Sequence, residues 1–170
     1  MKKTLKESKS KKVLILCHDK KVSYKDGKML GHWQDEFQGN LLSTFGIENA
    51  DVWTVDIKKS KSDRHYVADV WSKEFGKQHQ GEFDFIFMPD CGGEWYYASE
   101  EKDPVKQFER ITTLINTTLE LLKPNGILVV GKIFKNPRNI LKLVYDQDGY
   151  FLKSKQLGTE HMLIQNFQRI

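Results

Sequence analysis

Apolar runs of strand length alternate with polar or amphipathic stretches along the whole chain, and this alternation limits the fold more than any other feature of the sequence. "KVLILCHD" (Lys12 to Asp19) is continuously apolar over its first half, as in a strand buried on both faces of a sheet. "ADVWTVDI" (Ala50 to Ile57), "HYVADV" (His65 to Val70), "FDFIFMPD" (Phe83 to Asp90) and "ILVVGKIF" (Ile127 to Phe134) follow as the second to fifth strands. Between them lie helical patterns. Trp33, Phe37, Leu41 and Phe45 recur every four residues and stop at Gly46. A short helix is expected over residues 71–79. Asp103 is placed to cap a longer helix with Pro104 at its first position. The apolar face expected for that helix is Val105, Phe108, Ile111, Ile115, Leu119 and Leu122. Asn136-Pro137 opens one more helix, with Ile140, Leu141 and Val144 facing inward. The last stretch, "YFLKSKQLGTEHMLIQNF", reads as two strands around Leu157-Gly158-Thr159.

Strands alternating with helices imply a parallel sheet covered by helices on both faces, and a closing hairpin adds an antiparallel edge. The expected fold is therefore α/β, a Rossmann-like three-layer sandwich with a mostly parallel seven-stranded sheet and a C-terminal antiparallel hairpin. A chain of 170 residues suits one domain with a proper core. Residues 1–11 read as a basic flexible tail and residues 12–170 as the single domain. The tail carries five lysines, a large part of the net charge of +4, and its bland reading is a solubilising segment. The apolar run "VLIL" after it is too short for a secretory signal core. No apolar run approaches the ~20 residues of a membrane span, so no membrane partner is expected. Two cysteines, Cys17 and Cys91, make no disulfide framework, and a reducing cytoplasm is the default compartment.

In such sheets ligands bind beyond the carboxyl ends of the strands, near the point where strand order reverses. The first strand ends in Cys17-His18-Asp19, the second in Asp56-Ile57, the third in Asp69-Val70 and the fourth in Pro89-Asp90, followed by Cys91-Gly92-Gly93. Aspartate commonly terminates strands, so each acid alone has a structural reading. Four acids brought to one edge are a stronger signal.

These strand ends resemble the class I S-adenosylmethionine-dependent methyltransferases, and the likeness runs from about Val13 to Phe167. Within that family the chain resembles methyltransferase-like proteins of large DNA viruses, which implies a viral protein. "WTVDI" resembles the segment whose acid holds the cofactor's ribose hydroxyls, here Asp56; "VADV" resembles the one whose acid approaches the adenine amino group, here Asp69. "FDFIFMPD" resembles the fourth-strand motif beside the methyl donor, and "LLKPNGILVV" the turn into the fifth strand. The resemblance implies S-adenosyl-L-methionine as cofactor and a binding set of Cys17, His18, Asp19, Asp56, Ile57, Asp69, Val70 and Pro89. Asp90 would orient the acceptor or take its proton, with Gly92, Gly93, Trp95 and Tyr96 facing the acceptor. The chemistry agrees: a ribose diol wants a bidentate acceptor, which a carboxylate provides, and an acidic rim suits a sulfonium.

The first loop departs from the family pattern. "CHDKKVSYKDGKMLG" has no G-x-G after the strand, and His18 and Asp19 stand where glycines are expected. It reads as a long polar loop in which Gly27 and Gly31 supply a flexible approach, or as an altered site. Two functions therefore stay open: methyl transfer to a small-molecule or nucleic-acid acceptor, and an inactive methyltransferase-fold protein serving as a binding or partner subunit. A nucleotide-binding α/β domain lacks a Walker motif here. Lys58, Lys59, Lys61 and Arg64 either meet phosphates or form a solvated loop. Cys17, His18 and Cys91 suit zinc by type, but three ligands at non-local spacing make buried, inert thiols the better reading, and no metal is expected.

Overall fold

The structure is a computed structural model, and it describes residues 10–16, 23–25, 28–30, 46–47, 49–88, 94–130, 152–153 and 162–165. Five strands of the described residues run parallel in one sheet: β1 (Lys12–Leu16), β4 (Asp51–Asp56), β5 (His65–Val67), β6 (Phe83–Met88) and β7 (Leu122–Val130). Their spatial order is β5-β4-β1-β6-β7, so the chain builds outward from β1 on one side and then on the other. That is the Rossmann-like order, and its reversal falls between β1 and β6. Two further short strands pair antiparallel beside β7: β9 (Met162–Gln165), with Val130 opposite Met162, and β8 (Leu152–Lys153) against β9. The expected turn at Leu157-Gly158-Thr159 lies outside the described residues, as do the expected helices over 33–45 and after Asn136-Pro137.

The stretch read as a polar loop contains two short strands, β2 (Ser23–Lys25) and β3 (Lys28–Leu30), paired antiparallel with Tyr24 opposite Met29. The missed signal is Asp26-Gly27, a dipeptide suited to a tight hairpin turn.

Both faces of the central strands are buried, as their unbroken apolar runs require. Leu14, Leu16, Ile86, Met88, Leu128 and Val130 belong to one core cluster. The alternate residues Val13, Phe87 and Val129 are equally buried on the opposite face. Three helices complete the described elements: α1 (Lys73–Gln78), α2 (Glu94–Ser99) and α3 (Pro104–Glu120). Ser72 caps α1 by accepting the Phe75 N–H at 3.2 Å, which starts that helix two residues later than expected. Asp103 caps α3, its carboxylate accepting the Val105 N–H at 2.9 Å and the Lys106 N–H at 3.3 Å, with Pro104 at N1 as expected.

The buried face of α3 differs from the expected one. Gln107, Ile111, Leu114, Ile115 and Thr118 are buried, while Val105 is 65% and Phe108 39% exposed. Leu122 belongs to β7 rather than the helix. The true stripe is a 4-3-1-3 spacing that includes two polar residues, which an apolar count skips. Thr118 is satisfied there: its hydroxyl donates to the Leu114 carbonyl at 2.8 Å and accepts from Trp71 Nε1 at 3.2 Å.

The turn "KPNG" is built into β7. Phe83 pairs with Leu122 and Phe85 with Ile127, so the ladder is interrupted between them. Asn125 adopts φ 61°, a conformation Asn tolerates better than most residues. A Cβ on Gly126 would lie 2.9 Å from the Lys123 carbonyl oxygen. Gly126→Ala should therefore destabilise the fold by about 1–3 kcal/mol, the range for overpacking, readable as a lower urea midpoint with an unchanged slope.

Charged ties hold the opposite, amino edge of the sheet. Asp84 accepts from Lys123 Nζ at 2.7 Å and from the Lys12 backbone N–H at 2.8 Å, with Lys11 Nζ at 3.6 Å. Lys12 Nζ pairs with Glu82, which also bonds His79, and it lies 5.0 Å from the centre of the Trp53 ring. Trp53 stacks on Tyr66 at 4.8 Å, and Tyr66 meets Phe75 edge-on at 5.6 Å. Burial pushes the Glu82 and Asp84 carboxyls up, but their bonds to Lys12 and His79, and to Lys123 and Lys12, outweigh it and hold both below the usual range. Depressed carboxyl pKa values add stability above the unfolded values of 4.5 and 3.8, and that stability is lost as pH falls through the folded ones. Asp84→Asn should flatten the fall of stability below about pH 4 while lowering stability at pH 7, measured by urea midpoints across pH. Lys11, counted with the tail in the sequence reading, also accepts the Asp51 N–H on its carbonyl at 2.8 Å.

Candidate functional site

The described strands β1, β4 and β6 end at one edge, because Leu16 lies opposite Val55 and Ile15 opposite Phe87. Asp56 is the last residue of β4 and stands one position beyond that level. It pairs with Val67 of β5, so Asp69 follows two residues later at the same edge. The structure thus brings Asp56, Ile57, Asp69 and Val70 together on the flank of the reversal point. Cys17, His18, Asp19, Pro89, Asp90, Gly92 and Gly93 lie outside the described residues. Trp95 and Tyr96 fall within α2, but their side chains are likewise outside the description.

Each of the two described acids turns the chain. The Asp56 carboxylate accepts the Lys58 N–H on Oδ1 at 2.9 Å, and the Asp69 carboxylate accepts the Trp71 N–H on Oδ1 at 3.0 Å. These bonds explain why β4 and β5 stop sooner than the sequence reading expected. In each case the second carboxylate oxygen has no hydrogen-bond donor among the described residues. Ile57 is 71% exposed, a large apolar side chain left in solvent beside an acid. Val70 is buried in the core, so it offers a ligand backbone groups only. Among the described residues no group of three or more metal-binding side chains comes together.

The loop from Ile57 to Arg64 is held by side chain to backbone bonds. Ser60 Oγ accepts the Ser62 N–H at 3.2 Å and Ser62 Oγ the Arg64 N–H at 3.1 Å. His65 spans the loop, with Nδ1 2.7 Å from Thr54 Oγ1 and Nε2 2.8 Å from the Lys58 carbonyl. Lys58, Lys59 and Lys61 are exposed, whereas Arg64 pairs with Asp51 at 3.0 Å.

The segment after Gly93, which the resemblance sets against the acceptor, is helical over Glu94–Ser99. In α2, Ala98 is buried and Tyr97 is 62% exposed. Between α2 and α3 runs an open groove of about 500 Å³ lined by Glu94, Tyr97, Ala98, Glu109, Arg110, Thr113 and Leu114. No motif in the sequence announced it, since it depends on how two helices of different segments pack.

No protein-family model matches the chain, and no curated protein matches it. Solved structures do. The 16S rRNA N2 methyltransferase of T. thermophilus, in complex with AdoMet and guanosine, is 13% identical with a TM-score of 0.48; the match covers 95% of this chain and 36% of that one. The PH0226 protein of Pyrococcus horikoshii OT3 is 16% identical, TM-score 0.45, over 96% and 84% of the two chains. The N-methyltransferase NodS of Bradyrhizobium japonicum WM9 is 12% identical, TM-score 0.43, over 94% and 86%. At these values the fold assignment rests on the strand order itself. The class defined here is an α/β, Rossmann-like domain with a five-stranded parallel sheet and an acidic carboxyl edge. A viral origin takes no support from these likenesses, and no described helix is long and apolar enough to cross a membrane.

Proposed function

We propose that this chain is an S-adenosylmethionine-dependent methyltransferase of the class I fold, acting in the cytoplasm on a small-molecule or nucleic-acid acceptor. The observation that carries this reading is the end of β4. Asp56 has one carboxylate oxygen with no donor among the described residues, beside an exposed Ile57, at the flank of the strand-order reversal. An open carboxylate oxygen next to an apolar surface suits a ribose hydroxyl next to a flat base. Asp69, whose second oxygen also has no donor among the described residues, is the acceptor for the adenine amino group. Cys17, His18, Asp19, Pro89 and the Val70 backbone complete the cofactor set by their positions in the sequence. The full sheet in this reading has seven strands, with residues 152–165 as its closing antiparallel hairpin.

The cofactor supplies a methyl group on a sulfonium, an electrophile that needs no further activation. The protein's task is then alignment of an in-line displacement. Asp90 orients the acceptor or takes its proton, from the end of the fourth strand. Gly92, Gly93, Trp95 and Tyr96 are the residues proposed to face the acceptor. A second reading, a methyltransferase-fold subunit that binds without turnover, is favoured by one feature: His18 and Asp19 occupy the positions of the first-loop glycines. The test is a thermal-shift series with S-adenosylmethionine, S-adenosylhomocysteine, ATP and NAD. Stabilisation by the first two alone supports the reading; stabilisation by ATP or NAD alone overturns it.

A further inference from the structure

We infer that His65 is a positioning residue for the cofactor-binding acid, an inference that rests on the reading above. The β4–β5 connection leaves Asp56 and returns at His65, and its exposed side chains give it little packing of its own. Lys58 is the pivot. Its N–H is accepted by Asp56 Oδ1 at 2.9 Å, and its carbonyl lies 2.8 Å from His65 Nε2. One residue, Lys58, therefore connects the imidazole to the carboxylate.

The imidazole is itself fixed from behind. Thr54 is fully buried in β4, directly opposite His65 in the ladder, and its hydroxyl is 2.7 Å from Nδ1. The alternative acceptor for that hydroxyl, the Arg64 carbonyl, is more distant at 3.4 Å. The Lys58 carbonyl can only accept, so Nε2–H donates to it, and Nδ1 of the neutral imidazole accepts from the Thr54 hydroxyl. The chain of bonds runs Thr54 to His65 to Lys58 to Asp56, from the buried sheet to the carboxylate at its edge. With Oδ1 occupied by the Lys58 N–H, Oδ2 is the oxygen presented to a ligand. Without the imidazole, the Lys58 peptide loses the bond that holds its carbonyl, and the carboxylate loses its fixed partner. A side chain held from behind in this way aligns a binding group within a fraction of an ångström, which a loop alone does not.

The measurement is a double-mutant cycle on binding of S-adenosylhomocysteine and adenosine by calorimetry, using wild type, His65→Ala, Asp56→Ala and the pair. His65→Ala should weaken both ligands about 3- to 10-fold, and less than about 2-fold in the Asp56→Ala background. His65→Gln, which restores an amide donor near Nε2, should recover most of the loss. Thr54→Val, of equal shape, should reproduce part of it. Hydrogen exchange at the Lys58 amide, read without ligand, should quicken in His65→Ala. An equal loss in both backgrounds, or unchanged exchange at Lys58, overturns the inference. If wild type binds neither ligand, the methyltransferase reading falls, while the exchange measurement still decides whether the His65 tie exists.

Discussion

Ile86→Ala should lower the melting temperature by about 4–20 °C, the largest stability effect expected in this molecule. Ile86 is fully buried at the centre of β6, between β1 and β7, opposite Leu14 and Leu128. Truncating a buried isoleucine removes apolar contact and leaves a cavity that a strand hydrogen-bonded on both sides cannot close by moving. Such changes cost about 2–5 kcal/mol, and each kcal/mol shifts the midpoint of a chain this size by about 2–4 °C. The change sits on β6, one of the two strands between which the sheet order reverses, so ligand affinity should fall with it. Differential scanning calorimetry reads the shift directly. A fall of less than about 2 °C would show that β6 is not the packed centre described here.

Asp56→Ala should weaken S-adenosylmethionine by about 10- to 150-fold, corresponding to about 1.5–3 kcal/mol for a hydrogen bond to a charged group. The substitution also removes the acceptor of the Lys58 N–H, but that bond is solvent-exposed, so the fold itself should be little affected. Asp56→Asn separates the two roles: it keeps an oxygen for Lys58 and loses the charge. Unchanged affinity in a folded Asp56→Ala variant would remove this residue from the site. Circular dichroism establishes folding, and calorimetry gives the affinity.

The legible parts of this protein were those written in local pattern. Asp103-Pro104 marks a helix start because a cap and a proline act on their own neighbours. The strand runs at Val13, Val52 and Phe83 stand out because strands buried on both faces must be apolar throughout. Asp56 and Asp69 were found for a similar reason, since an acid that ends a strand stands at a predictable edge. The roles proposed for these acids come from the resemblance to class I methyltransferases.

What was missed depends on tertiary contact. Gln107 and Thr118 are buried on α3 where Val105 and Phe108 were expected, because burial follows what the helix meets rather than its hydrophobicity alone. His65 looked like the start of a strand; only the register that sets it opposite Thr54 makes it a tie across the loop. The Lys12–Glu82 and Lys123–Asp84 pairs join residues about 70 and 39 positions apart, and no local signal couples them. The short strands β2 and β3 did have a local signal, in Asp26-Gly27, and it was outweighed by the polarity around it.

The central claim is that the acidic carboxyl edge takes S-adenosylmethionine. A methyl donor must be held by its adenosine and by its methionine half. In the proposed reading the adenosine half meets Asp56 and Asp69, each with one oxygen that takes no donor among the described residues. The methionine half lacks the glycines that normally let backbone approach it, with His18 and Asp19 in their place. The most direct measurement is calorimetric titration of the full chain with S-adenosylmethionine, with adenosine as the comparison ligand. The expected dissociation constant is on the order of tens to hundreds of micromolar, about −5 to −6 kcal/mol, with adenosine keeping most of that affinity. No detectable heat at millimolar S-adenosylmethionine would contradict the assignment.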